Sequence, residues 1–362
     1  MDDAAGAQSS AMTSRKNEKA GASGTALLVA NAAAQSGRNA ERIARARELL
    51  DRAGLAHHFL PTEPEGRTSA AVCDALETKR YSRAIAMGGD GTISDVARGL
   101  LASGLASEIA LGILPTGTAN DVGHSFGLES SAQALERNVE VIRAGHETGF
   151  DVSRLTAMDE EGRELRTELF VDSAGWGLGP KALRMRNEER RLVESIPVVR
   201  HLYRDHLVYA SAALKAFAES YLSETKFDVD VVADGKKRRW KGLTDLVVKS
   251  PRIYAGLWVF DPTSRHDDGL VEVMPFAGRR DWLSKALLFL DHSGALAQDA
   301  QEVGLEHAQM IRASRLELTF RPRAGGGSVA AQVDGEEFQQ MSRVRIEVLK
   351  RALRLIVPER QA

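Results

Sequence analysis

The residues best suited to chemistry lie in the run Gly88–Thr92, whose sequence is Gly-Gly-Asp-Gly-Thr. An apolar run, 84–87, precedes it, and the apolar spacing from Ile93 onward is that of an amphipathic helix. The pattern predicts a strand, a tight turn and a helix N-terminus, where backbone N–H groups and the helix dipole attract anions. We expect the glycines to provide positive φ and a close approach for the anion, and Asp90 to orient a metal ion or a proton acceptor. An ordinary structural turn is the alternative.

A second strand and polar glycine turn come later in the chain. The apolar run Ile109–Leu114 is followed by Pro115–Asp121, which reads Pro-Thr-Gly-Thr-Ala-Asn-Asp. Two parallel strands of one sheet would bring both turns to the same carboxyl edge, where open α/β sheets bind ligands. Neither turn is a G-x-x-x-x-G-K-[ST] loop or a G-x-G-x-x-G fingerprint. The candidate binding residues of the two turns are Gly88, Gly89, Asp90, Gly91, Thr92, Ile93, Ser94, Thr116, Gly117, Thr118, Asn120 and Asp121.

Taken together, the two turns resemble the catalytic domain of the diacylglycerol kinase family, and most closely its soluble bacterial lipid kinases. The resemblance extends over roughly Thr25–Val357. It implies ATP as phosphoryl donor, Mg²⁺ as cofactor, and a lipid alcohol such as diacylglycerol as acceptor. It also implies that Asp90 and Asp121 orient Mg²⁺ or polar groups at the nucleotide phosphates.

The resemblance adds nucleotide contacts at Asn31, Ser36 and Gly37 after the first strand, and at Thr62 after the second. The chain departs from the family in two places. No proline follows Asn31, and the residues after the Gly-Gly-Asp-Gly-Thr turn include Ser94-Asp95 where the family has Asn and Glu.

Two Asp-Gly turns in the later part of the chain have both a structural and a functional interpretation. Asp334-Gly335-Glu336 is a hairpin turn by pattern, and the resemblance makes Glu336 the catalytic base that activates the lipid hydroxyl. Asp268-Gly269 is a plain β-turn by pattern. The resemblance instead implies a structural Mg²⁺ bound by the Asp268 carboxylate and the carbonyls of Arg265 and Leu270, since hard oxygen ligands suit this ion.

The elements that must position these residues predict an α/β fold with two domains. Strands and helices alternate over 25–148, which predicts a parallel-sheet nucleotide-binding domain. Alternating polar and apolar residues over 149–340 predict a second, mostly antiparallel β domain that would bind the lipid. The family returns the last segment, 341–357, to the first domain. We predict a disordered leader over 1–24, helices at Leu202–Leu222 and Trp282–Ala300, and a terminal hairpin formed by Val344–Val348 and Leu353–Val357.

Composition limits the classes of partner. The chain has 362 residues and a formal net charge of −2, which gives no bulk attraction to nucleic acid. Its single cysteine, Cys73, excludes an internal disulfide. No apolar run approaches the ~20 residues of a membrane-spanning helix, and the leader lacks the apolar middle of a signal peptide. We expect a cytoplasmic protein that meets its lipid substrate at the membrane surface, as a monomer or a homodimer.

Three questions stay open at this stage. A soluble NAD kinase would share the Gly-Gly-Asp-Gly turn, although the second turn and the late Asp-Gly-Glu argue against it. The altered Asn31 loop and Ser94-Asp95 motivate a second alternative, a non-catalytic nucleotide-binding regulator. The basic run Lys236–Lys241 either protects the edge of a predicted hairpin from strand pairing or attracts anionic lipid headgroups.

Overall fold

A computed structural model describes residues 24–31, 38–64, 66–117, 119–177, 179–180, 226–256, 258–278, 281, 284–285, 310–323, 329–338 and 342–361. The predicted leader apart from Gly24, and the predicted helices at 202–222 and, for the most part, 282–300, lie outside the described residues. The chain forms two compact units. The first contains the described residues up to Gly117, Phe126–Thr148 and the chain from Leu353 onward, and the second contains Thr118–Ser125 and Gly149–Ala352.

The first unit is built on a parallel sheet. Its strands are β1 (Ala26–Ala30), β2 (His57–Pro61), β3 (Arg83–Gly88) and β4 (Ala110–Pro115), in the order β2-β1-β3-β4. The central strands are almost wholly apolar, as expected for strands that are covered on both faces. The connecting helices of this unit are Arg38–Arg52, Arg67–Thr78, Asp90–Ala102 and Ala134–Ala144.

Helix packing in the first unit follows from the sequence pattern. The helix Arg38–Arg52 buries Ile43, Ala46, Leu49 and Leu50, which recur at helical spacing and join the core against β1 and β3. The helices Arg67–Thr78 and Asp90–Ala102 approach closely at Gly99, where an added Cβ would lie 2.6 Å from Val72 Cγ1. This contact fixes the helix that follows the glycine turn.

The second unit contains the antiparallel strands of a larger sheet, a separate antiparallel sheet, and the strand pair β11-β12. Its strands are β5 (Glu147–Met158), β6 (Glu164–Phe170), β7 (Ser173–Gly177), β8 (Phe227–Ala233), β9 (Lys236–Leu243), β10 (Asp245–Lys249), β11 (Ile253–Tyr254), β12 (Trp258–Val259), β13 (Val271–Phe276), β14 (Ile311–Ala313), β15 (Arg315–Pro322), β16 (Ala331–Val333), β17 (Glu336–Phe338) and β18 (Arg343–Ile356). The antiparallel strands of the larger sheet have the order β18-β15-β8-β9, with β5 paired to β18 and β6, and the separate sheet has the order β14-β13-β10-β7-β16-β17. Their core includes Trp176 stacked on Phe320, with ring centroids 5.0 Å apart. A short helix, Asp121–Ser125, also belongs to this unit.

The predicted fold class is confirmed: a parallel-sheet α/β region is followed by a mostly antiparallel β region. The predicted terminal hairpin is wrong, because Arg343–Ile356 is one continuous strand. Its first residues pair antiparallel with β15, while Leu355 pairs parallel with Leu111. Arg351 has a φ of 50° and donates its backbone N–H to Asp151 Oδ1 at 2.7 Å. This hydrogen bond holds the strand together at the two charged residues between the segments predicted to form the hairpin. None of the helices in the described part of the chain is long and apolar enough to cross a bilayer.

Candidate active site

The first unit brings most of the predicted nucleotide-binding residues to one edge of its sheet. Ala30 lies opposite both Pro61 and Met87, and Gly88 lies opposite Pro115, so the four parallel strands end nearly level. Thr62 donates its backbone N–H to the carbonyl of Ala30 at 3.0 Å. The residues that follow the four strand ends are Asn31, Thr62, the run Gly89–Thr92, and Thr116 with Gly117. Ser36, Gly37 and Thr118 lie outside the described residues.

The glycine turn begins a helix, as predicted. Gly89 is its N-cap, and the carbonyl of Gly89 accepts the N–H groups of Thr92 at 3.0 Å and Ile93 at 3.1 Å. Asp90 and Gly91 therefore occupy the first turn, where helix N–H groups point toward the end of the helix. Such an end favours a phosphate. The side chains of Ile93 and Ser94 are each 1 % exposed, so they pack in the interior. Asp95 pairs with Arg98 at 3.6 Å.

The expectation that these glycines provide positive φ is wrong. Gly89 has φ −92° and ψ −171°, which is extended backbone that any residue can adopt. Close packing instead accounts for Gly88 and Gly89. A Cβ on Gly88 would lie 2.2 Å from Thr92 Oγ1, and one on Gly89 would lie 3.2 Å from the Cα of Gly117. At Gly91 an added Cβ would meet no atom within 4 Å, so that position is open toward the end of the helix.

The two predicted turns are in direct contact within the first unit. Thr116 donates its backbone N–H to the carbonyl of Gly88 at 2.8 Å, and Gly117 packs against Gly89. The register of β3 and β4 dictates this contact, because Gly88 and Pro115 are paired and both chains leave the sheet there. The glycine turn and the start of the second turn therefore form one continuous surface at the carboxyl edge.

Asn120 and Asp121, from the end of the second turn, belong to the second unit. The Asp121 carboxylate accepts the backbone N–H groups of Ala255 at 2.6 Å and Gly256 at 2.5 Å. Asn120 is fully buried, with a φ of 52°. The geometry thus gives Asp121 a positioning function: it holds the turn between β11 and β12.

A pocket of about 220 Å³ lies within the second unit. Its polar lining includes Asp121, Asp172, Ser173, Asp245, Tyr254 and Gln332. None of the described residues that line it is cationic. Burial raises the pKa of Tyr254 above its ordinary value, and the three carboxylates raise it further, so the phenol stays neutral and can donate a hydrogen bond. The pocket therefore suits a polar group that carries no negative charge.

The Asp334-Gly335-Glu336 turn lies beside this pocket, which Gly335 also lines. The buried Asp334 carboxylate accepts three backbone N–H groups, those of Val171 at 3.1 Å, Asp172 at 2.9 Å and Ser173 at 3.1 Å. Glu336 follows at the start of β17, and its side chain is exposed. Within the described part of the chain, no hydrogen bond or ion pair involves its carboxylate. The turn thus contains two different carboxylates. That of Asp334 is bound by backbone N–H groups, and that of Glu336 is exposed to solvent.

Comparison with known proteins agrees with the motifs. Residues 25–155 match the family model described as the diacylglycerol kinase catalytic domain. This part of the chain is thus similar to the diacylglycerol kinase catalytic domain. The predicted family resemblance is therefore confirmed over the region that carries both glycine turns. No curated protein matches the chain.

Solved structures share the fold of this chain. A diacylglycerol kinase from Bacillus anthracis str. Sterne is 17 % identical with a TM-score of 0.62, and covers 93 % of this chain and 98 % of its own. Another structure from that organism is 19 % identical with a TM-score of 0.63 and the same coverage. Yeast NADH kinase complexed with NADH is 9 % identical with a TM-score of 0.47, covering 92 % of this chain and 83 % of its own. That last likeness is too weak to support a functional argument.

The Mg²⁺ site that the diacylglycerol kinase resemblance implied at Asp268 does not fit the geometry. Asp268 Oδ1 accepts the N–H of Leu270 at 3.0 Å, and Asp268 Oδ2 is bound by the guanidinium of Arg312. Arg265 turns its side chain to Asp267, 3.1 Å away. Both oxygens of the predicted ligand are thus in use, one of them by a cation. Among the described residues, no group of three or more His, Cys, Asp or Glu side chains is placed to hold a metal ion.

Sequence reasoning missed a buried ion pair in the second unit. Lys249 Nζ lies 3.7 Å from Glu272 Oε2, and neither side chain is more than 1 % exposed. Lys249 also donates to the carbonyl of Arg252 at 3.0 Å. Burial lowers the pKa of Lys249 and raises the pKa of Glu272. The available signal was a single lysine in the apolar strand β10 and a single glutamate in the apolar strand β13.

Proposed function

We propose that this protein is a lipid kinase that transfers the γ-phosphate of ATP to the hydroxyl of a lipid alcohol such as diacylglycerol. The observation that carries the proposal is the contact between Gly88–Gly89 and Thr116–Gly117 in a matched diacylglycerol kinase catalytic domain. Two glycine turns meet there at the start of a helix. This is a surface on which phosphate groups can approach backbone N–H groups closely.

The first unit would bind the nucleotide. The helix N-terminus at Asp90 and Gly91 would receive phosphate oxygens, and Asn31 and Thr62, at neighbouring strand ends, would contact the rest of the nucleotide. Bound Mg²⁺ would neutralise phosphate oxygens during transfer, and Asp90 is the residue of this edge that would hold it. Asp121 has no part in holding the metal in this proposal, because its carboxylate binds two backbone N–H groups.

The second unit would bind the acceptor, and Glu336 would be the general base. As the acceptor oxygen forms its bond to the γ-phosphorus, its proton passes to the Glu336 carboxylate. The bond from the γ-phosphorus to the bridging oxygen of ADP breaks at the same time, and ADP leaves. The pocket beside Gly335 would hold the polar end of the acceptor. Because Asp121, Asp172 and Asp245 line it and no described cation does, it favours neutral or amine-bearing headgroups over anionic ones.

The proposal is tested with γ-labelled ATP and a total lipid extract, followed by identification of the labelled product. NAD is offered in parallel as a soluble acceptor. We expect label in a lipid and none in NAD. Asp90→Asn should abolish most of the labelling with the fold intact, whereas the control Asp74→Asn, an exposed carboxylate on the helix Arg67–Thr78, should not. Nucleotide binding without labelling of any lipid would instead identify a non-catalytic regulator.

The acceptor pocket has its own test. Diacylglycerol and phosphatidylglycerol are compared as acceptors in neutral detergent micelles. We expect the neutral lipid to be phosphorylated faster, because a headgroup phosphate would face carboxylates in the pocket. Faster labelling of phosphatidylglycerol would show that the acceptor headgroup binds elsewhere.

A further inference from the structure

Three charged residues form a row across adjacent strands of the second unit. Lys249 on β10 lies opposite Glu272 on β13, and Glu272 lies opposite Arg312 on β14. Directly opposite residues of antiparallel strands project on the same face and interact. The Glu272 carboxylate accordingly lies 3.7 Å from Lys249 Nζ and 3.6 Å from Arg312 Nε. The strand register therefore places Arg312 beside the Glu272 carboxylate.

Arg312 has other acidic neighbours besides Glu272. Its guanidinium binds Asp268 Oδ2 and lies 3.9 Å from Asp261 Oδ2. Three carboxylates thus surround one guanidinium whose side chain is only 28 % exposed. A carboxylate as buried as Glu272 requires a nearby cation, and Lys249 is one such cation. Lys249 does not balance the charges of Asp261 and Asp268, so these two carboxylates need a second cation. A guanidinium has several N–H donors in a fixed plane and can contact several carboxylates at once.

We propose that Arg312 is the fixed cation of the Asp268 turn, occupying the position where a divalent metal ion would otherwise balance these carboxylates. The turn then binds no Mg²⁺ or Ca²⁺, and its stability does not depend on either ion. This inference goes beyond the kinase activity and does not depend on it. It concerns how a turn between β12 and β13 is held, and it can be measured without nucleotide or lipid.

The first experiment follows thermal unfolding of the full chain with EDTA, with millimolar MgCl₂ and with millimolar CaCl₂. We expect the same melting temperature in all three solutions. A rise with either ion that disappears in Asp268→Asn would place a metal ion at the turn and overturn the proposal. This measurement needs no variant of Arg312, so it decides the question even if such variants fail to fold.

The second experiment is a double-variant cycle. Arg312→Met should lower the melting temperature by roughly 4–8 °C, because it leaves partly buried carboxylates without their cation. Asp268→Asn added to Arg312→Met should recover part of that loss. The control is Arg239→Met, which removes an exposed cross-strand partner of Asp230 at 3.3 Å and should change the melting temperature little. If Arg312→Met costs no more than the control, or if its effect and that of Asp268→Asn are additive, Arg312 is not the cation of the turn.

Discussion

The carboxylate of Asp334 accepts the backbone N–H of Asp172 at 2.9 Å, joining residues that are 162 positions apart in the chain. The same carboxylate binds the N–H groups of Val171 and Ser173. It therefore fixes the segment that leads into β7 and along one side of the pocket beside Gly335. Because the group is buried and charged, its hydrogen bonds contribute more than those of an exposed turn residue.

We predict that Asp334→Asn lowers the free energy of unfolding by about 1–3 kcal/mol, since an amide NH₂ would face backbone donors. Asn tolerates the φ of 48° at this position, so the substitution tests the carboxylate rather than the backbone conformation. The matched control is Asp234→Asn, at another Asp-Gly turn with a φ of 46°, where the carboxylate binds Ser314 and Arg315 at an exposed site. Urea unfolding should give a smaller loss for the control. Equal losses would contradict the argument from burial.

Substitutions at two glycines of the turn can test separately its packing in the fold and its binding of ATP. We predict that Gly88→Ala lowers the free energy of unfolding by about 1–3 kcal/mol, because its Cβ would overlap Thr92. Gly91→Ala should leave the fold unchanged or stabilise it by up to ~1 kcal/mol, since alanine is the better helix former and the position is open. It should nevertheless weaken ATP binding roughly tenfold, because a methyl group would stand where phosphate approaches the helix end.

These two variants are compared by thermal unfolding and by calorimetric titration with ATP. The informative result is a Gly91→Ala protein with normal stability and weak binding. A Gly91→Ala protein that binds ATP as tightly as the wild type would show that phosphate does not contact this part of the turn.

The sequence was sufficient to predict what depends on local chain geometry. Apolar runs followed by polar glycine turns predicted β3, β4 and the turns after them. Contacts that depend on distant segments could not be predicted. The carboxylate of Asp121 binds the backbone of Ala255 and Gly256, which lie more than 130 residues later in the chain. Nothing near Asp121 indicates that its carboxylate is used by backbone rather than by a ligand.

The structural reason for the glycines of the Gly-Gly-Asp-Gly turn could not be predicted from the local sequence either. A Gly-Gly-Asp-Gly sequence suggests positive φ, yet Gly89 is extended and faces Gly117, a residue of the other turn. Only the pairing of β3 with β4 makes that contact necessary. Likewise, Lys350-Arg351 lies between the two segments predicted to form a terminal hairpin, and only the bond from the Arg351 N–H to Asp151 shows that the strand continues there.

The basic run Lys236–Lys241 forms most of β9, an edge strand of the second unit. Lys236, Lys237, Arg238 and Arg239 are exposed, whereas Trp240 packs against the core and is not available as a membrane anchor. Any attraction of this run to membranes must therefore be electrostatic. We predict that the double variant Lys237→Glu with Arg238→Glu weakens sedimentation with phosphatidylglycerol vesicles by at least about tenfold, at ~1 kcal/mol per cation.

Vesicles of pure phosphatidylcholine and a second charge-reversed protein serve as controls. The second protein carries Lys79→Glu and Arg80→Glu, which reverse two exposed cations at the end of the helix Arg67–Thr78. It should sediment like the wild type with both kinds of vesicle. If the two charge-reversed proteins lose binding equally, net charge rather than β9 is responsible. If neither loses binding, the cations of β9 serve only to protect the edge from strand pairing.

Glu336 is the carboxylate of its turn that is free to accept a proton. Asp334 is engaged by three backbone N–H groups, while the exposed Glu336 side chain has no bonded partner in the described part of the chain. A lipid hydroxyl is a weak nucleophile at neutral pH, and a positioned base contributes roughly 10²–10⁴-fold to transfer. We predict that Glu336→Gln lowers turnover by about that factor, while ATP affinity and the melting temperature remain those of the wild type.

Glu337→Gln is the matched control, since Glu337 is the adjacent glutamate of β17 and is also exposed. Successive residues of a strand project to opposite faces, so the two substitutions differ in the face they alter and not in chemistry. Both proteins are measured at saturating lipid and ATP. Loss of turnover in Glu337→Gln but not in Glu336→Gln would assign the base to the neighbouring residue. Full turnover in both would place the proton acceptor outside this turn. In that case the Asp334 turn would only shape the pocket, because its remaining carboxylate would have no catalytic function.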